Sequence, residues 1–476
     1  MKRVLVVAVL SITLSHTFFA QMANRSSSTA GNAEGLASDK IDALFATWSK
    51  GYTPGAAVIV IQNGKVLFKK GYGLSNLQTR KPISTNTVFL LASLTKQFTA
   101  MAIMMLAERG RLKYDDPLSR FFPEFPLYAE KVTIRHLLNH TAGFPEYDDL
   151  LVQSGTIDRI WPRSSASKPS SFEPTSKDVM KLLAQQQDLE FTPGQKWKYS
   201  NSGYVILAQI VEKVSGKSFS RFLQENIFRP LGMNKSLLYD ETRPRVTNVA
   251  TSYKLEGGVY KDIDYTPLNA IYGEDNIYST VEDMYKWDQA LYTEKLVKSA
   301  TLKEAFTPGS LNDGEVLPYG FGWGVGKFLG LDKVSHSGSW LGFRTYILRF
   351  PNQRFTVVIL SNVSQLEPAM IASKISKIYL GEKMTFPIAR RLDTDLLRGY
   401  VGKYEFAPGV IAEVTLEDGV LWIKPPGQEK SRLLAESPDL FFPESMEEVG
   451  LAFKRDEKGT VSSFTVRGGA TAKKQR

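Results

Sequence analysis

The stretch "LLASLTKQFTA", residues Leu90 to Ala100, places an amine three positions after a hydroxyl inside an apolar segment. Positions three apart share one face of a helix, so the side chains of Ser93 and Lys96 are expected to be neighbours. An unassisted serine is a poor nucleophile and needs a nearby base. A lysine in an apolar helix can be that base because burial disfavours the charged ammonium. The spacing therefore favours a nucleophilic serine with a lysine partner, although a lysine that points to solvent gives the same pattern.

A second Ser-x-x-Lys, Ser165 to Lys168, makes the spacing alone weak evidence. It lies in a Ser/Pro-rich stretch, Ser154 to Ser176, which is typical of an exposed insertion. Ser93 instead is expected to begin an amphipathic helix that ends at Arg109-Gly110. Backbone N–H groups at a helix start also favour a developing oxyanion. We therefore assign the nucleophile to Ser93.

The stretch "TPGQKWKYSNSGYVILAQIVEKVSG" carries Tyr199 and Asn201 just before an apolar helix predicted over Tyr204 to Val214. A lone Tyr-x-Asn most often marks only a turn and a helix start. In the functional interpretation, Tyr199 is a general base and Asn201 donates to the amide carbonyl of a substrate. A phenol gives up its proton at neutral pH only beside a cation, and Lys96 would be that cation.

The stretch "HSGSWLGFRTYILRF" places His336 and Gly338 where a strand is predicted to open. Small residues there would let a substrate lie along the strand edge. The backbone N–H of Ser339 would pair with that of Ser93 as an oxyanion hole. The alternative for His336 is a structural histidine at a strand start, which is the usual case for a lone histidine.

Two predicted strand pairs frame the middle of the chain. The first, "AAVIVIQNGKVLFKKGYG", turns at Asn63-Gly64, and the second, "TYILRFPNQRFTVVILSN", turns near Pro351-Asn352. Helical patterns lie between them, and Leu366 to Leu380 is another predicted helix. The sequence thus predicts an α/β (α+β) domain over residues 37–383, in which both ends complete one antiparallel sheet and helices pack on it.

The chain ends differ from this central region. Residues 1–20 are predicted to be a signal peptide, because Lys2 and Arg3 precede an apolar run, Val4 to Leu14, that is too short to span a bilayer. Residues 21–36 are a predicted flexible lead-in and residues 384–396 a linker. Short alternating stretches over 397–476, with Asp-Gly and Lys-Gly turns, predict a small all-β barrel or sandwich. We expect a periplasmic or secreted protein with no stable membrane span.

Composition excludes several function classes. The chain of 476 residues has no cysteine, so disulfides, thiolate zinc sites and cysteine nucleophiles are excluded. Its formal charge of +10 lacks the clustered Lys/Arg with interleaved aromatics of a nucleic-acid groove. His136 and His140 have the i, i+4 spacing of metal ligands, but no carboxylate or third histidine accompanies them at ligand spacing. We predict no metal, no cofactor and no nucleic-acid partner, and the oligomeric state stays open.

Together these motifs resemble a known family. The three motifs occur in order with "LLNHTAGFP" (Leu137 to Pro145), "FTPGQKWKYSNSGY", "IFRPLGM", "YGFGWGV" and "HSGSWLGF". Over about residues 37–380 the chain resembles the penicillin-recognising serine hydrolases, nearest the class C β-lactamases and related esterases and D-amino-acid-specific peptidases. The resemblance implies a β-lactamase-like fold with an antiparallel sheet, flanking helices and an all-helical subdomain. The terminal domain resembles the lipocalin-like appendage of some members.

The resemblance also implies roles. Ser93 would be the nucleophile, Lys96 and Tyr199 would share general-base work, and Asn201 would help to bind substrate. Class C β-lactamases carry Lys-Thr-Gly where this chain has His336-Ser-Gly338. A mostly neutral histidine there fits esterase- or peptidase-like relatives better than an efficient β-lactamase.

The expected activity is hydrolysis of an ester or amide, with a small-molecule or peptide substrate, through an acyl-enzyme. One alternative is a penicillin-binding or cell-envelope sensor on the same fold that does not turn over. Another is that the terminal β domain binds a partner or glycan and supplies the main function.

Overall fold

A computed structural model describes residues 35–157, 173–239, 247–427, 429–466 and 469–475. The predicted signal peptide, nearly all of the lead-in and most of the Ser154 to Ser176 stretch, including the second Ser-x-x-Lys, lie outside the described residues. Within the described residues, no helix combines the length and the apolar character that a membrane crossing needs.

The strands up to residue 361 are β1 (Ala56–Gln62), β2 (Lys65–Tyr72), β3 (Leu74–Asn76), β4 (Lys81–Pro82), β5 (Phe89–Leu90), β6 (Leu237–Leu238), β7 (Tyr253–Glu256), β8 (Val259–Asp262), β9 (Ile277–Ser279), β10 (Gly324–Phe328), β11 (Leu331–Trp340), β12 (Phe343–Phe350) and β13 (Phe355–Ser361). The helices are α1 (35–44), α2 (Thr95–Glu108), α3 (Ile134–Leu138), α4 (Tyr147–Gln153), α5 (Ser176–Ala184), α6 (Asn201–Ser215), α7 (Phe219–Leu223), α8 (Arg229–Leu231), α9 (Val281–Ala290), α10 (Ser299–Ala305), α11 (Pro368–Leu380) and α12 (Thr394–Arg398).

The central sheet has six strands in the order β10-β11-β12-β13-β1-β2. Its neighbours are all antiparallel, and β1 pairs with β13, so both ends of the domain complete the sheet as predicted. The Asn63-Gly64 hairpin is confirmed, because both residues have positive φ, as a tight turn of matching twist requires. The second hairpin turns through a 3₁₀ turn at Pro351–Gln353, also as predicted.

The sheet separates two apolar cores. Successive side chains of a strand point to opposite faces, and in β1 the odd-numbered Ala57, Ile59 and Ile61 join one core while the alternating residues join the other. Helices α1 and α11 cover the second face. The helices between β5 and β9 supply most of the first core, which contains the segment quoted at the outset. This is a β-lactamase-like arrangement of sheet and helices.

Helix α2 departs from its prediction in two ways. It begins at Thr95, and Ser93 lies before it in a 3₁₀ turn, Ala92–Leu94. All residues from Thr95 to Leu106 are buried, so the helix is enclosed on every side rather than amphipathic. The polar side chains on it, including Lys96, have hydrogen-bond partners within the protein. Its end is as predicted, since Gly110 follows in the left-handed conformation.

The C-terminal strands are β14 (Gly402–Ala407), β15 (Val410–Glu417), β16 (Val420–Lys424), β17 (Ser431–Ser437), β18 (Leu440–Pro443), β19 (Leu451–Arg455), β20 (Val461–Val466) and β21 (Thr471–Lys474). They form a closed antiparallel barrel, which resolves the choice between barrel and sandwich. Aromatic rings fill its core, among them Tyr404, Phe453 and Phe464. In the stretch predicted as a linker, the Arg390 N–H donates to the Ala435 carbonyl of this barrel.

Candidate active site

Ser93 and Lys96 are brought together at the start of α2. The Nζ atom of Lys96 lies 3.1 Å from Ser93 Oγ. Ala92, directly before the serine, is buried and has a φ of 49°, a left-handed conformation uncommon for alanine. The chain therefore turns sharply just before Ser93, whose side chain stays partly exposed. A sharp turn of this kind presents the hydroxyl at the surface of an otherwise buried segment.

The amine of Lys96 is fully buried and has three oxygen neighbours. Besides Ser93 Oγ, these are Asn201 Oδ1 at 2.8 Å and the backbone carbonyl of Glu274 at 3.1 Å. The amide oxygen and the carbonyl can only accept, so each takes one N–H of the amine. A neutral amine then has its lone pair left for the hydroxyl proton of Ser93. These three oxygen atoms, the cage of Lys96, can therefore satisfy the hydrogen bonds of either the charged or the neutral amine.

The aromatic ring of Tyr199 contacts the amine of Lys96. Lys96 Nζ lies 4.8 Å from the centre of the Tyr199 ring, within the range of a cation–π contact. In the described part of the chain, no hydrogen bond joins the Tyr199 hydroxyl to Ser93 or Lys96. The residue is partly exposed, so its phenol is open to a substrate or water.

Asn201 is the first residue of α6, which begins three residues earlier than predicted and ends one later. Its backbone N–H donates to Glu146 Oε2 at 2.9 Å, and its side-chain oxygen accepts from Lys96. The side-chain NH₂ group donates to no other group among the described residues, so it is available for a substrate carbonyl. Ser200 caps this helix, since its hydroxyl accepts the N–H of Gly203.

His336 lies in the middle of β11 rather than at its opening, so that part of the prediction is wrong. The strand runs through the whole of "KVSHSGSW", even though a Ser-Gly pair often marks a turn. His336 Nδ1 lies 2.6 Å from the Ser337 carbonyl and must carry the ring proton, because a carbonyl only accepts. The Nε2 atom then accepts from the Tyr319 hydroxyl at 2.8 Å. Burial, and to a lesser degree Lys96, lowers the pKa of His336 to about 3, so the ring is neutral.

Gly338 is required for a close approach within the protein. A Cβ atom there would lie 2.2 Å from Thr345 Oγ1 and 2.3 Å from the Leu91 carbonyl oxygen, and 3.2 Å from Ala92 Cβ. The strand therefore packs directly on the turn that carries Ser93. Ser339 follows at an exposed position of β11, beyond Ser335, where the pairing with β10 ends. Among the described residues, no strand pairs with this stretch of β11 on the side away from β12.

These features agree with comparisons to known proteins. The profile of the β-lactamase family matches residues 39–375, which is well over half of the chain. The chain belongs to the β-lactamase family. A second profile, that of a domain of unknown function (DUF3471), matches residues 387–475, the region of the barrel.

Several relatives of this β-lactamase family protein are penicillin-binding proteins or peptidases. Penicillin-binding protein 4* of Bacillus subtilis is 32% identical over 426 residues, covering 84% of this chain and 90% of that protein. A D-aminopeptidase of Gluconobacter oxydans is 27% identical over 371 residues, covering 75% and 66% of the two chains. The structure of an octameric penicillin-binding protein homologue from Pyrococcus abyssi superposes with a TM-score of 0.62 at 26% identity, covering 92% and 99%. The chain is therefore a member of a serine hydrolase family.

Sequence reasoning missed three acids around the lysine of this β-lactamase family site, namely the buried Glu274 and Asp275 and the partly exposed Glu146. Glu274 presents its carbonyl to Lys96, and its carboxylate accepts from the Tyr147 hydroxyl at 2.8 Å. Burial raises the pKa of all three acids, and Lys96 opposes this. The charge of Glu274 raises the pKa of Asp275 further. Only the run "EDN" could have drawn attention to this loop, because an acid pair in a sequence usually indicates a solvated surface.

The paired histidines serve separate structural roles in this β-lactamase family domain. His136 Nδ1 accepts the backbone N–H of Thr133 and completes the cap of α3. His140 Nδ1 accepts the backbone N–H of Ser200, far along the chain. Among the described residues, no group of three or more His, Cys, Asp or Glu side chains is arranged to hold a metal ion.

Proposed function

We propose that the protein hydrolyses an ester or amide through an acyl-enzyme on Ser93, with Lys96 and Tyr199 as general bases. One observation carries the proposal: the buried amine of Lys96 contacts Ser93 Oγ at 3.1 Å while two obligate acceptors hold its other hydrogens. A neutral amine so held can accept only from the serine. Such a contact between nucleophile and base is the requirement for nucleophilic catalysis.

In the acylation step, Ser93 Oγ attacks the substrate carbonyl carbon and its proton passes to Lys96 Nζ. The carbonyl electron pair moves onto oxygen, which the N–H groups of Ser93 and Ser339 stabilise. The tetrahedral intermediate then expels the alcohol or amine, which takes the proton from Lys96. In deacylation, the Tyr199 phenol passes its proton to the neutral Lys96 amine, and the phenolate so formed takes a proton from water as the water attacks the acyl carbonyl. Breakdown transfers the proton of Lys96 to Ser93 Oγ and releases the carboxylic acid, which restores all three groups.

The substrate class follows from the His336 position. Its ring nitrogens are both occupied within the protein and the ring is neutral, so it offers no cation to a substrate carboxylate. This favours neutral esters and amides, including D-amino-acid amides and peptides, over classical β-lactams. The D-aminopeptidase among the relatives supports the same substrate class. The proposed setting is periplasmic or secreted, because the sequence of residues 1–20 has the pattern of a signal peptide.

The test combines labelling with a substrate panel. A fluorophosphonate or β-lactam probe is expected to modify Ser93, located by peptide mass spectrometry, in wild type and in Ser165→Ala. The second variant removes the other Ser-x-x-Lys serine and is the matched control. Activity is measured on nitrocefin, D-Ala-D-Ala peptides, D-amino-acid amides and short-chain esters, beside Ser93→Ala. Folded protein with unlabelled Ser93 and no ester hydrolysis would refute the proposal. One acylation per protein molecule with no turnover would instead identify a sensor.

A further inference from the structure

His140 contacts three consecutive residues of the segment that carries Tyr199. Its backbone carbonyl accepts the N–H of Lys198 at 3.0 Å, and its ring Nδ1 accepts the N–H of Ser200 at 3.1 Å. Between these two contacts, its ring packs on the ring of Tyr199, with centroids 4.3 Å apart and a tilt of 33°. His140 thus holds Lys198 through its backbone carbonyl, the Tyr199 ring through its own ring, and Ser200 through Nδ1.

The backbone at His140 is shaped for this contact. Its φ is 62°, a left-handed conformation uncommon outside glycine, and the residue is only 1% exposed. Strained residues persist where the surrounding structure holds them, and they cluster at functional sites. The neighbouring carbonyls of Thr141 and Gly143 accept the N–H groups of Gly194 and Glu190. The segment that carries Tyr199 therefore runs along residues 140–143, and His140 lies at the end of this stretch nearest Lys96.

The hydrogen bonds fix the protonation of the ring. A backbone N–H can only donate, so Nδ1 of His140 is unprotonated and the neutral ring carries its proton on Nε2. Burial, together with the charge of Lys96, lowers the pKa of His140 well below its usual range. The rings of Tyr204 at 5.1 Å and Tyr319 at 4.6 Å complete its surroundings. The ring is thus a fixed neutral acceptor enclosed by aromatic side chains.

We propose that His140 is the positioning residue for Tyr199: its ring and its Nδ1 acceptor hold the Tyr199 phenol in register with Lys96 for proton transfer. This inference rests on the proposed function, in which Tyr199 takes a proton from water. It assigns a catalytic consequence to a histidine that the spacing with His136 offered only as a metal ligand.

Two variants separate the contribution of the His140 ring from that of its Nδ1 acceptor. His140→Phe keeps an aromatic ring against Tyr199 but removes the acceptor for Ser200. His140→Asn keeps an acceptor near the Nδ1 position and tolerates positive φ, but removes the ring. His136→Phe is the matched control, because it removes the same kind of ring-to-backbone hydrogen bond at a site that does not touch Tyr199.

The first readout is kinetic. Misplacing a catalytic group by about 1 Å can cost on the order of 100-fold in rate. We expect kcat for a short-chain ester to fall on the order of 10- to 100-fold in both His140 variants. KM should fall in proportion, so that kcat/KM and the rate of fluorophosphonate labelling at Ser93 stay within about threefold of wild type, because both report acylation and the Ser93–Lys96 contact is untouched. The control should retain wild-type kcat. Folded His140 variants with wild-type kcat, or a loss shared equally by kcat, labelling and the His136 control, would overturn the inference.

The second readout does not depend on activity. In a crystal structure of His140→Phe, the Tyr199 ring should be displaced relative to Lys96 while Ser93 Oγ stays beside Lys96 Nζ. An unmoved Tyr199 would overturn the positioning role. An inactive wild type with a displaced Tyr199 in the variant would instead refute the proposed reaction and leave the positioning role supported.

Discussion

The Nζ atom of Lys96 lies 4.8 Å from the centre of the Tyr199 ring, while its hydrogen bonds go to Ser93, Asn201 and Glu274. The amine is therefore the direct partner of the Ser93 hydroxyl, and the Tyr199 phenol is hydrogen-bonded to neither group in the described part of the chain. This geometry suggests a division of labour, in which Lys96 serves acylation and Tyr199 serves deacylation. The predictions below test separate parts of that division.

Ser93→Ala should abolish ester hydrolysis while the protein stays folded. The hydroxyl is one of three oxygen neighbours of the Lys96 amine, so its removal leaves the other two hydrogen bonds in place. An unsatisfied buried polar group costs about 1–3 kcal/mol, and we expect a loss of unfolding free energy no larger than that. Ester hydrolysis and urea unfolding check the two parts. Retained turnover would exclude Ser93 as the nucleophile.

Gly338→Ala should disturb the turn that carries Ser93. The new Cβ would meet Thr345 Oγ1 and the Leu91 carbonyl at 2.2 and 2.3 Å, so strand and turn must separate. Overpacking of this kind costs about 1–3 kcal/mol, and activity should fall with it. Gly326→Ala is the control in the neighbouring strand, because its Cβ would meet nothing within 4 Å. Equal stability of the two variants in thermal unfolding would contradict the packing assigned to Gly338.

Acid should destabilise the protein partly through His336. Its folded-state pKa is lowered to about 3, whereas an unfolded histidine titrates near 6.5. Between these values the unfolded chain binds a proton that the native state does not, so stability is lost as pH falls from 6.5 toward 3. His336→Gln removes this contribution and should flatten the slope of unfolding free energy against pH by up to about 1.4 kcal/mol per pH unit. Identical slopes for variant and wild type between pH 4 and 6.5 would show that His336 does not resist protonation.

His336→Lys should shift substrate preference. A lysine there would add a cation beside the substrate, so hydrolysis of carboxylate-bearing substrates should rise relative to neutral esters. The side chain replaces a buried ring, and a lower melting temperature is expected with it. The ratio of kcat/KM for the two substrate classes is the measurement. An unchanged ratio in folded protein would remove His336 from substrate binding.

Much of the fold was predictable because its signals are local. Asn63-Gly64 fixes a hairpin through its own backbone conformation, and Gly110 ends α2 for the same reason. The position of Ser93 just outside α2 was not predictable, because the local sequence does not mark the left-handed turn at Ala92, which packs against the distant Gly338. The cage around Lys96 combines residues more than 100 positions apart, including a backbone carbonyl with no sequence signature. His140 was visible in its spacing from His136 and in the stretch "LLNHTAGFP", but its contact with Tyr199 exists only in the folded chain.

The central claim is that Ser93 is acylated and that Tyr199 activates the water that releases it. The most direct measurement is intact-mass spectrometry of the Tyr199→Phe variant during hydrolysis of a p-nitrophenyl ester. Phenylalanine keeps the ring contacts of Tyr199 and removes only its hydroxyl. We predict a stoichiometric acyl adduct on Ser93 that persists in the variant and turns over in wild type. A variant that hydrolyses the ester at the wild-type rate, or that releases product without an adduct, would contradict the account.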